Sequence, residues 1–197
     1  MDIEEAIFLD REALALRQQG HPNRSSSLIN LAADLSTRYN QLGTVQDLDG
    51  AIILDREALN LRPQGHPDRT MSLNNLALYL SNRYKQAGAV QDLDEAIFLA
   101  REALSIHPQG HPDRSMSLTN LASYLRGRFT QSKQLQDQEE LFGLYAHLAR
   151  MNQTVSSSDL SAARSWIRAA EYFKHPTLLL AYETALRFLV QHLATLP

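Results

Sequence analysis

The chain has 197 residues, contains no cysteine and carries a formal net charge of -3 at pH 7. Without cysteine it can form no disulfide, thiolate metal site or cysteine nucleophile, and a slightly acidic chain lacks the cationic surface that nucleic-acid binding requires. Because it also has no apolar run long enough to span a bilayer and no signal peptide, we expect a cytoplasmic protein without a nucleic-acid or membrane partner.

The sequence is built on a 45-residue repeat. The central copy, 47–91, is identical at 29 of its 45 positions to 2–46 and at 28 to 92–136. A fixed period of this length indicates a solenoid, in which each copy buries its apolar residues against its neighbours. We therefore predict two regions: repeats that start in mid-repeat over 1–136, and degenerate repeats with capping helices over 137–197.

Each copy contains two helical patterns. The first predicted helix of the chain runs from Ile3 to Leu16. Its counterpart in the central copy has apolar residues at spacings of three, four and seven, namely Leu48, Ala51, Ile52, Ala58 and Leu59. A second pattern follows the breaker PQGHPDR and places one set of apolar residues on one helix face: Leu73, Leu76, Ala77, Leu80 and Tyr84.

The predicted ends of the second helix also recur. Asp68 is the expected N-cap of this helix in the central copy, and Asn23 and Asp113 stand at the same position in the other copies. Gly43 and Gly88 end the helix in the first two copies. In the third copy Lys133 replaces that glycine.

After Phe129 the repeat decays. Three further helices are predicted over 135–151, 159–173 and about 177–196, with a polar linker over 152–158. This makes nine predicted helices in an all-α chain.

The unit resembles a lengthened tetratricopeptide repeat of the kinesin-light-chain type. Ala51, Ala58, Leu59 and Pro63 match the second helix of that family, and the pair 76–77 matches its first helix. The family's usual period is about 34 residues. A departure occurs where the family has an aromatic residue, because this chain has Asp10, Asp55 and Ala100 there. The resemblance implies a right-handed superhelix of helix pairs that binds proteins.

The amino-acid sequence of the repeats is also similar to that of the tetratricopeptide arrays of fungal proteins that carry a caspase-like CHAT domain. The stretches LDEAI, REAL, GHPDRS and SLxNLA carry this resemblance, together with the last segment, SAARSWIRAAEYFKHPTLLLAYETAL. It implies that an effector domain follows the repeats.

Asparagines form the main candidate binding site. Asn30, Asn75 and Asn120 recur before the Leu-Ala pair of each second pattern, and the resemblance places this position in a concave groove. An amide there can donate to and accept from a peptide backbone. The same alignment puts further residues in the groove: Ser26, Met71, Met116, Asn74, Thr119, Ser36, Ser81, Asn82, Ser123 and Arg126. Alternatively, the amides bond within the solenoid, capping or bridging helices.

Other recurrent polar residues are interpreted as structural. His21, His66 and His111 stand in identical GHP contexts, but each lies a full repeat from the next, too far to share a metal ion. The arginines at 38, 83 and 128 are expected to form ion pairs or to lie along neighbouring rings. No catalytic constellation or phosphate loop is present, so we expect no enzyme, cofactor or metal.

The chain ends suggest a second hypothesis. The first helix lacks the other half of its repeat, and the last helix is apolar on most sides, which is typical of buried helices. The expected self-association residues are Ile3, Ile7, Leu14, Leu179, Phe188, Leu189 and Leu193. The sequence thus favours a scaffold that holds an extended peptide in its groove. Its alternative is a structural or regulatory module whose ends form a homodimer or dock a downstream CHAT-like domain.

Overall fold

The computed structural model describes residues 2–107, 111, 113–149 and 157–194. This part of the chain contains nine α-helices and no strand, which confirms the all-α class. The helices are α1 Ile3–Leu16, α2 Arg24–Leu42, α3 Val45–Asn60, α4 Arg69–Ala87, α5 Val90–Ile106, α6 Arg114–Ser132, α7 Leu135–Ala149, α8 Ser157–Tyr172 and α9 Leu178–Leu193. The observed α1 has the predicted bounds, whereas α8 begins inside the predicted linker, of which 152–156 lie outside the described residues.

The chain divides into two compact units, Met1–Ala103 and Leu104–Pro197. The first contains α1 to α4 and most of α5, and the second contains the end of α5 and α6 to α9. The division predicted after residue 136 concerns repeats rather than compactness, and it stays a prediction.

In the first unit the helices pack in chain order, α1 on α2, α2 on α3 and α3 on α4. The predicted apolar stripes supply its core, since Leu48, Ala51 and Leu73 are each 0% exposed. Removing such side chains from water is the main term that stabilises a fold. We call α2, α4 and α6 the A helices, and α1, α3, α5 and α7 the B helices.

A recurring histidine supports the start of each A helix. The predicted residues do occupy the N-cap positions of α2, α4 and α6, but their side chains make no cap hydrogen bond there. The backbone N–H of each N-cap residue instead donates to Nδ1 of the histidine two residues earlier. The three bonds are Asn23 to His21 (3.1 Å), Asp68 to His66 (3.1 Å) and Asp113 to His111 (3.2 Å). The histidines therefore hold this turn, which agrees with their structural interpretation.

Each A helix ends on a left-handed residue. Gly43 has φ 72° and Gly88 has φ 69°, as expected for glycine after a helix C-terminus. Lys133 occupies the same place after α6 with φ 56°, a conformation that costs a residue with a Cβ. The third copy thus keeps the turn although it has lost the glycine.

The arginines before the aromatic residue form a repeated set of ion pairs. Each binds an aspartate near the start of the next B helix, and the first two also bind an acidic residue of the preceding B helix. The pairs are Arg38 with Asp47 (2.5 Å) and Glu4 (2.8 Å), Arg83 with Asp92 (2.7 Å) and Asp49 (2.9 Å), and Arg128 with Asp137 (2.6 Å). These ion pairs connect each A helix to its B-helix neighbours. Of the two roles expected for these arginines, ion pairing and contact with neighbouring rings, the structure shows ion pairing.

In the second unit α6 packs on α7 and α8, and α8 packs on α9. Trp166 is 0% exposed, and its indole N–H donates to Thr177 Oγ1 at 3.1 Å. A neighbouring cluster joins Leu118 of α6 to Ala162 and Ala163 of α8 and to Phe188 of α9. The degenerate C-terminal helices therefore share a core with the last well-preserved A helix.

Candidate functional site

The exposed side of each A helix carries most of the candidate groove residues. On α2 the exposed positions Ser26, Asn30, Ala33 and Thr37 follow the spacing of one helix face. The corresponding positions on α4 begin at Met71, which is 45% exposed, and those on α6 begin at Met116, which is 43% exposed. We call this exposed side, on each of the three helices, the A-helix face.

The three asparagines lie on the A-helix face. Asn30 is exposed, and Asn75 and Asn120 are half-buried. Within the described residues, none of the three side-chain amides makes a hydrogen bond or ion pair. An amide offers two donors and an acceptor, so each can bind a partner without breaking an internal bond.

A cavity of about 360 Å³ lies beside Asn30 in the first unit. Its walls come from α1 and α2, and they include Leu9 and two carboxyl groups, those of Asp10 and Asp34. Burial, together with the charge of Asp10, raises the pKa of Asp34 above its usual value. The cavity therefore carries negative potential that a cationic or donor group would relieve.

Two smaller cavities lie beside Asn120 in the second unit. One, of about 170 Å³, is lined by Asn120, Ser123 and Arg126 with Thr119, Tyr145 and Ser165. The other, of about 210 Å³, is lined by Met116, Thr119, Asn120 and Ser161. The structure therefore brings together the asparagine, methionine and serine that the sequence assigned to the groove of this copy.

Two groove assignments are corrected. Ser36 and Ser81 are only 6% and 4% exposed, because their positions on the A helices face the core rather than the A-helix face. Asn74 and Asn82 are half-buried, and the Asn82 carbonyl oxygen accepts a long bond from Lys85 Nζ at 3.4 Å.

The expected self-association residues divide into two groups. Ile7 and Phe188 are 2% and 1% exposed, because other residues of their own units cover them. They are therefore not part of the proposed self-association surface. Ile3 and Leu14 are half-buried. Along α9, exposed apolar side chains form one stripe, which we call the α9 face: Leu179 (70%), Leu186 (63%), Leu189 (45%), Val190 (59%) and Leu193 (56%). No helix in the described ranges has the length and apolar character that crossing a membrane would need.

The sequence did not indicate two buried charged residues of the second copy, Asp55 on α3 and Arg62 just after that helix. Asp55 is 0% exposed, and neither of its carboxylate oxygens has a hydrogen-bond partner among the described residues. Burial raises the pKa of Asp55 to about 7, and the positive charge of Arg62 partly opposes this rise. Arg62 is itself 1% exposed and donates to Ser72 Oγ at 3.2 Å and to the Asp68 carbonyl at 3.1 Å. The aspartate in place of the family's aromatic residue was the available signal.

The third copy has Ala100 and His107 at the positions of Asp55 and Arg62. His107 replaces the arginine of the first two copies, is 6% exposed and lies 3.0 Å from Ser117 Oγ through Nδ1. Its ring stacks on that of His111 with centroids 4.1 Å apart and planes 9° from parallel. Burial, followed by the charge of His111, lowers the pKa of His107.

The comparisons with known proteins identify the repeat. A family model described as tetratricopeptide repeat matches residues 69–113. This stretch contains α4 and α5, so it is the 45-residue unit of the chain in a register that begins with an A helix. Residues 69–113 form a tetratricopeptide repeat. Modules built from such repeats generally bind other proteins.

Two solved structures share the tetratricopeptide fold. Both come from Podosopora anserina and are described as a kinesin light chain with nearly identical tetratricopeptide-like repeats, one being a single-residue variant. The variant is 23% identical with a TM-score of 0.67, and the match covers 98% of this chain and 88% of that one. The other structure is 20% identical with a TM-score of 0.65, and the match covers 96% of this chain and 88% of that one. No curated protein matches this chain.

The family match confirms a tetratricopeptide repeat over residues 69–113, and the solved structures, which are similar to this chain in fold, confirm the solenoid fold class. None of the matches bears on the resemblance to CHAT-associated arrays, which stays a prediction.

Proposed function

We propose that this tetratricopeptide protein binds an extended peptide or partner segment along its A-helix face, with the asparagine amides holding the peptide backbone. The observation that carries the proposal is that Asn30, Asn75 and Asn120 recur on this face with no internal hydrogen bond among the described residues. A backbone unit offers one donor and one acceptor, which is the complement of an amide.

The cavities supply the side-chain preferences of the proposed site. In the first unit, Asp10 and Asp34 favour a lysine or arginine side chain next to Asn30, because an opposite charge offsets their mutual repulsion. In the second unit, the exposed Met116 offers an adaptable apolar contact, and Thr119 and Ser123 offer hydroxyl groups. The proposed ligand is therefore a linear segment with at least one basic residue.

The test uses a displayed library of random linear peptides, selected against the whole chain. We expect basic linear peptides to be enriched and to bind the double variant Asn75→Ala, Asn120→Ala at least about tenfold more weakly. Loss of two amide contacts at about 1 kcal/mol each accounts for such a change. Binding is measured by isothermal titration calorimetry with a single enriched peptide.

Asn60→Ala is the matched control, because Asn60 is an exposed asparagine at the end of a B helix. This variant should bind the peptide like the parent chain. Circular dichroism should show the same helix content in all three proteins. If the enriched peptides bind the double variant as tightly as the parent, the amides of Asn75 and Asn120 do not hold the peptide backbone and the proposal fails.

A second candidate function is self-association through the α9 face. It rests on the stripe of exposed apolar side chains on α9, which a second copy of the chain would cover. Docking of a downstream CHAT-like domain on the same face is the form that the sequence resemblance predicts.

A further inference from the structure

The loop between α5 and α6 gathers three side chains that are typical metal ligands. His107, His111 and Asp113 each offer one ligand atom, and these atoms all lie within 4.8 Å of one another. The donors are two imidazoles and one carboxylate, a set that zinc and its neighbours in the transition series accept. In the sequence, His111 is one of three equivalent loop histidines, each a full repeat from the next, and the repeat pattern does not indicate that His107 lies beside it.

This cluster exists in the third copy alone. The second copy has Arg62, His66 and Asp68 at the equivalent positions, and there the Arg62 guanidinium lies 3.6 Å from the Asp68 carboxylate. The first copy has Arg17 and ends on Asn23 instead of an aspartate. The change from arginine to histidine in the third copy therefore removes a permanent cation while the carboxylate of Asp113 is retained.

We infer that His107, His111 and Asp113 form a binding site for a divalent transition-metal ion, of which Zn²⁺ is the representative, with water completing the coordination. In this site the metal supplies the positive charge that the guanidinium supplies in the second copy.

The hydrogen bonds around the cluster suit this role. His107 Nδ1 lies 3.0 Å from Ser117 Oγ, and when Nδ1 donates this bond, Nε2 keeps its lone pair for a metal. His111 Nδ1 accepts from the Asp113 backbone N–H at 3.2 Å, so its lone pair is directed toward residue 113. The Asp113 carboxylate lies 4.0 Å from this nitrogen. Tetrahedral ligands of zinc stand about 3.3 Å apart, so ligand atoms that now lie within 4.8 Å of one another need to close by up to about 1.5 Å. The two imidazole rings, now stacked with their planes 9° from parallel, turn so that both lone pairs reach the ion, and the metal replaces the bond to His111.

The experiment titrates ZnCl₂ into the metal-free, tag-free whole chain by isothermal titration calorimetry, with MgCl₂ as the control salt. We expect one equivalent of Zn²⁺ per chain, no heat from Mg²⁺, and a thermal midpoint that rises with Zn²⁺ alone. The variant His107→Arg restores the residue found in the other copies. It should keep the helix content and lose the binding event.

His66→Ala is the matched control, since His66 has the same loop context without a second histidine, and it should leave the Zn²⁺ stoichiometry at one. If His107→Arg proves unfolded by circular dichroism, Asp113→Asn provides the second test, with weaker Zn²⁺ binding expected. Uptake of one equivalent by these ligand variants with parental affinity, or no uptake by the parent, would overturn the inference.

The same inference can be tested by building a second metal site in the second copy. Asp55→Ala combined with Arg62→His reproduces in the second copy the pair Ala100 and His107 of the third. If the exchange of arginine for histidine builds the site, the stoichiometry rises from one to two. A stoichiometry of one in a folded double variant would contradict this account of the site.

Discussion

Asp55 is the residue whose environment is most at odds with its chemistry. A carboxylate with no hydrogen bond and no solvent contact is costly to keep charged, and the nearby Arg62 offsets only part of that cost. The pKa of about 7 means that the folded chain holds a proton that the unfolded chain, with a value near 3.8, has already lost. Stability from this group is therefore complete below about pH 4 and is lost as the pH rises toward 7.

The variant Asp55→Asn tests whether Asp55 makes the chain less stable as the pH rises. Asparagine has nearly the shape of the protonated carboxyl and cannot ionise, so we expect the variant to gain stability relative to the parent as the pH rises from 5 to 8. The measurement is the difference in thermal midpoint between variant and parent at each pH. A difference that stays constant across this range would show that Asp55 does not titrate there.

Arg83 illustrates how burial decides the value of an ion pair. It binds Asp92, whose side chain is 8% exposed, whereas Arg56 binds Glu95, and these two side chains are 46% and 37% exposed. Hydrogen bonds to Asp92, followed by those to Asp49, raise the pKa of Arg83.

Arg83→Met should therefore destabilise the chain by about 2 kcal/mol, because it leaves a buried carboxylate without its main partner. Arg56→Met, the matched control on the surface, should cost less than about 0.5 kcal/mol. Both values are read from urea unfolding followed by circular dichroism. Equal losses in the two variants would refute the dependence on burial.

At the scale of the helix, the C-terminal turn of the A helices offers a comparison between copies. Gly88 has φ 69°, and a Cβ added there would meet nothing within 4 Å, so any penalty comes from the backbone alone. Lys133 already bears that penalty, although its ammonium lies 5.7 Å from the Phe129 ring centroid.

We expect Gly88→Ala to cost about 1 kcal/mol and Lys133→Gly to gain about 0.5 kcal/mol, the smaller change reflecting the lost contact with the ring. Thermal unfolding of the two variants beside the parent measures both effects. If Lys133→Gly destabilises the chain, the contact with Phe129 outweighs the backbone strain.

At the scale of the whole molecule, the α9 face predicts association between chains. Mass measured by light scattering after size exclusion should rise from 22.2 kDa toward twice that value as the protein concentration increases. Leu186→Gln with Val190→Gln should return the mass to that of a monomer, because the double variant makes the exposed stripe polar.

Ile53→Gln is the control for this test, since Ile53 is an equally exposed apolar residue, at 66%, on a B helix. It should leave the association unchanged. A parent chain that remains at 22.2 kDa over a hundredfold concentration range would reject self-association and leave the A-helix face as the supported binding surface.

The repeat explains why so much of the fold could be predicted. Apolar spacing, glycine after the A helices and the GHPDR breaker are local signals, and they recur in the near-copies of the repeat. The bounds of α1 and the left-handed turns at Gly43 and Gly88 could therefore be predicted from these signals. The shared helix position of Asn30, Asn75 and Asn120 also followed, because residues at the same place in each copy lie at the same place on each A helix.

The sequence by itself determined the all-α class, the 45-residue unit, the helix count within the described residues and the recurrence of an asparagine at one position of each A helix. Only the tertiary structure decided that four side chains are buried, those of Ser36, Ser81, Ile7 and Phe188. It also decided that Asp55 is buried with no hydrogen-bond partner among the described residues, and that the His107 ring stacks on that of His111. The physical reason is that burial and side-chain proximity arise from packing between helices and the path of the loops. Periodicity specifies which face of a helix is apolar, but it does not specify what that face meets.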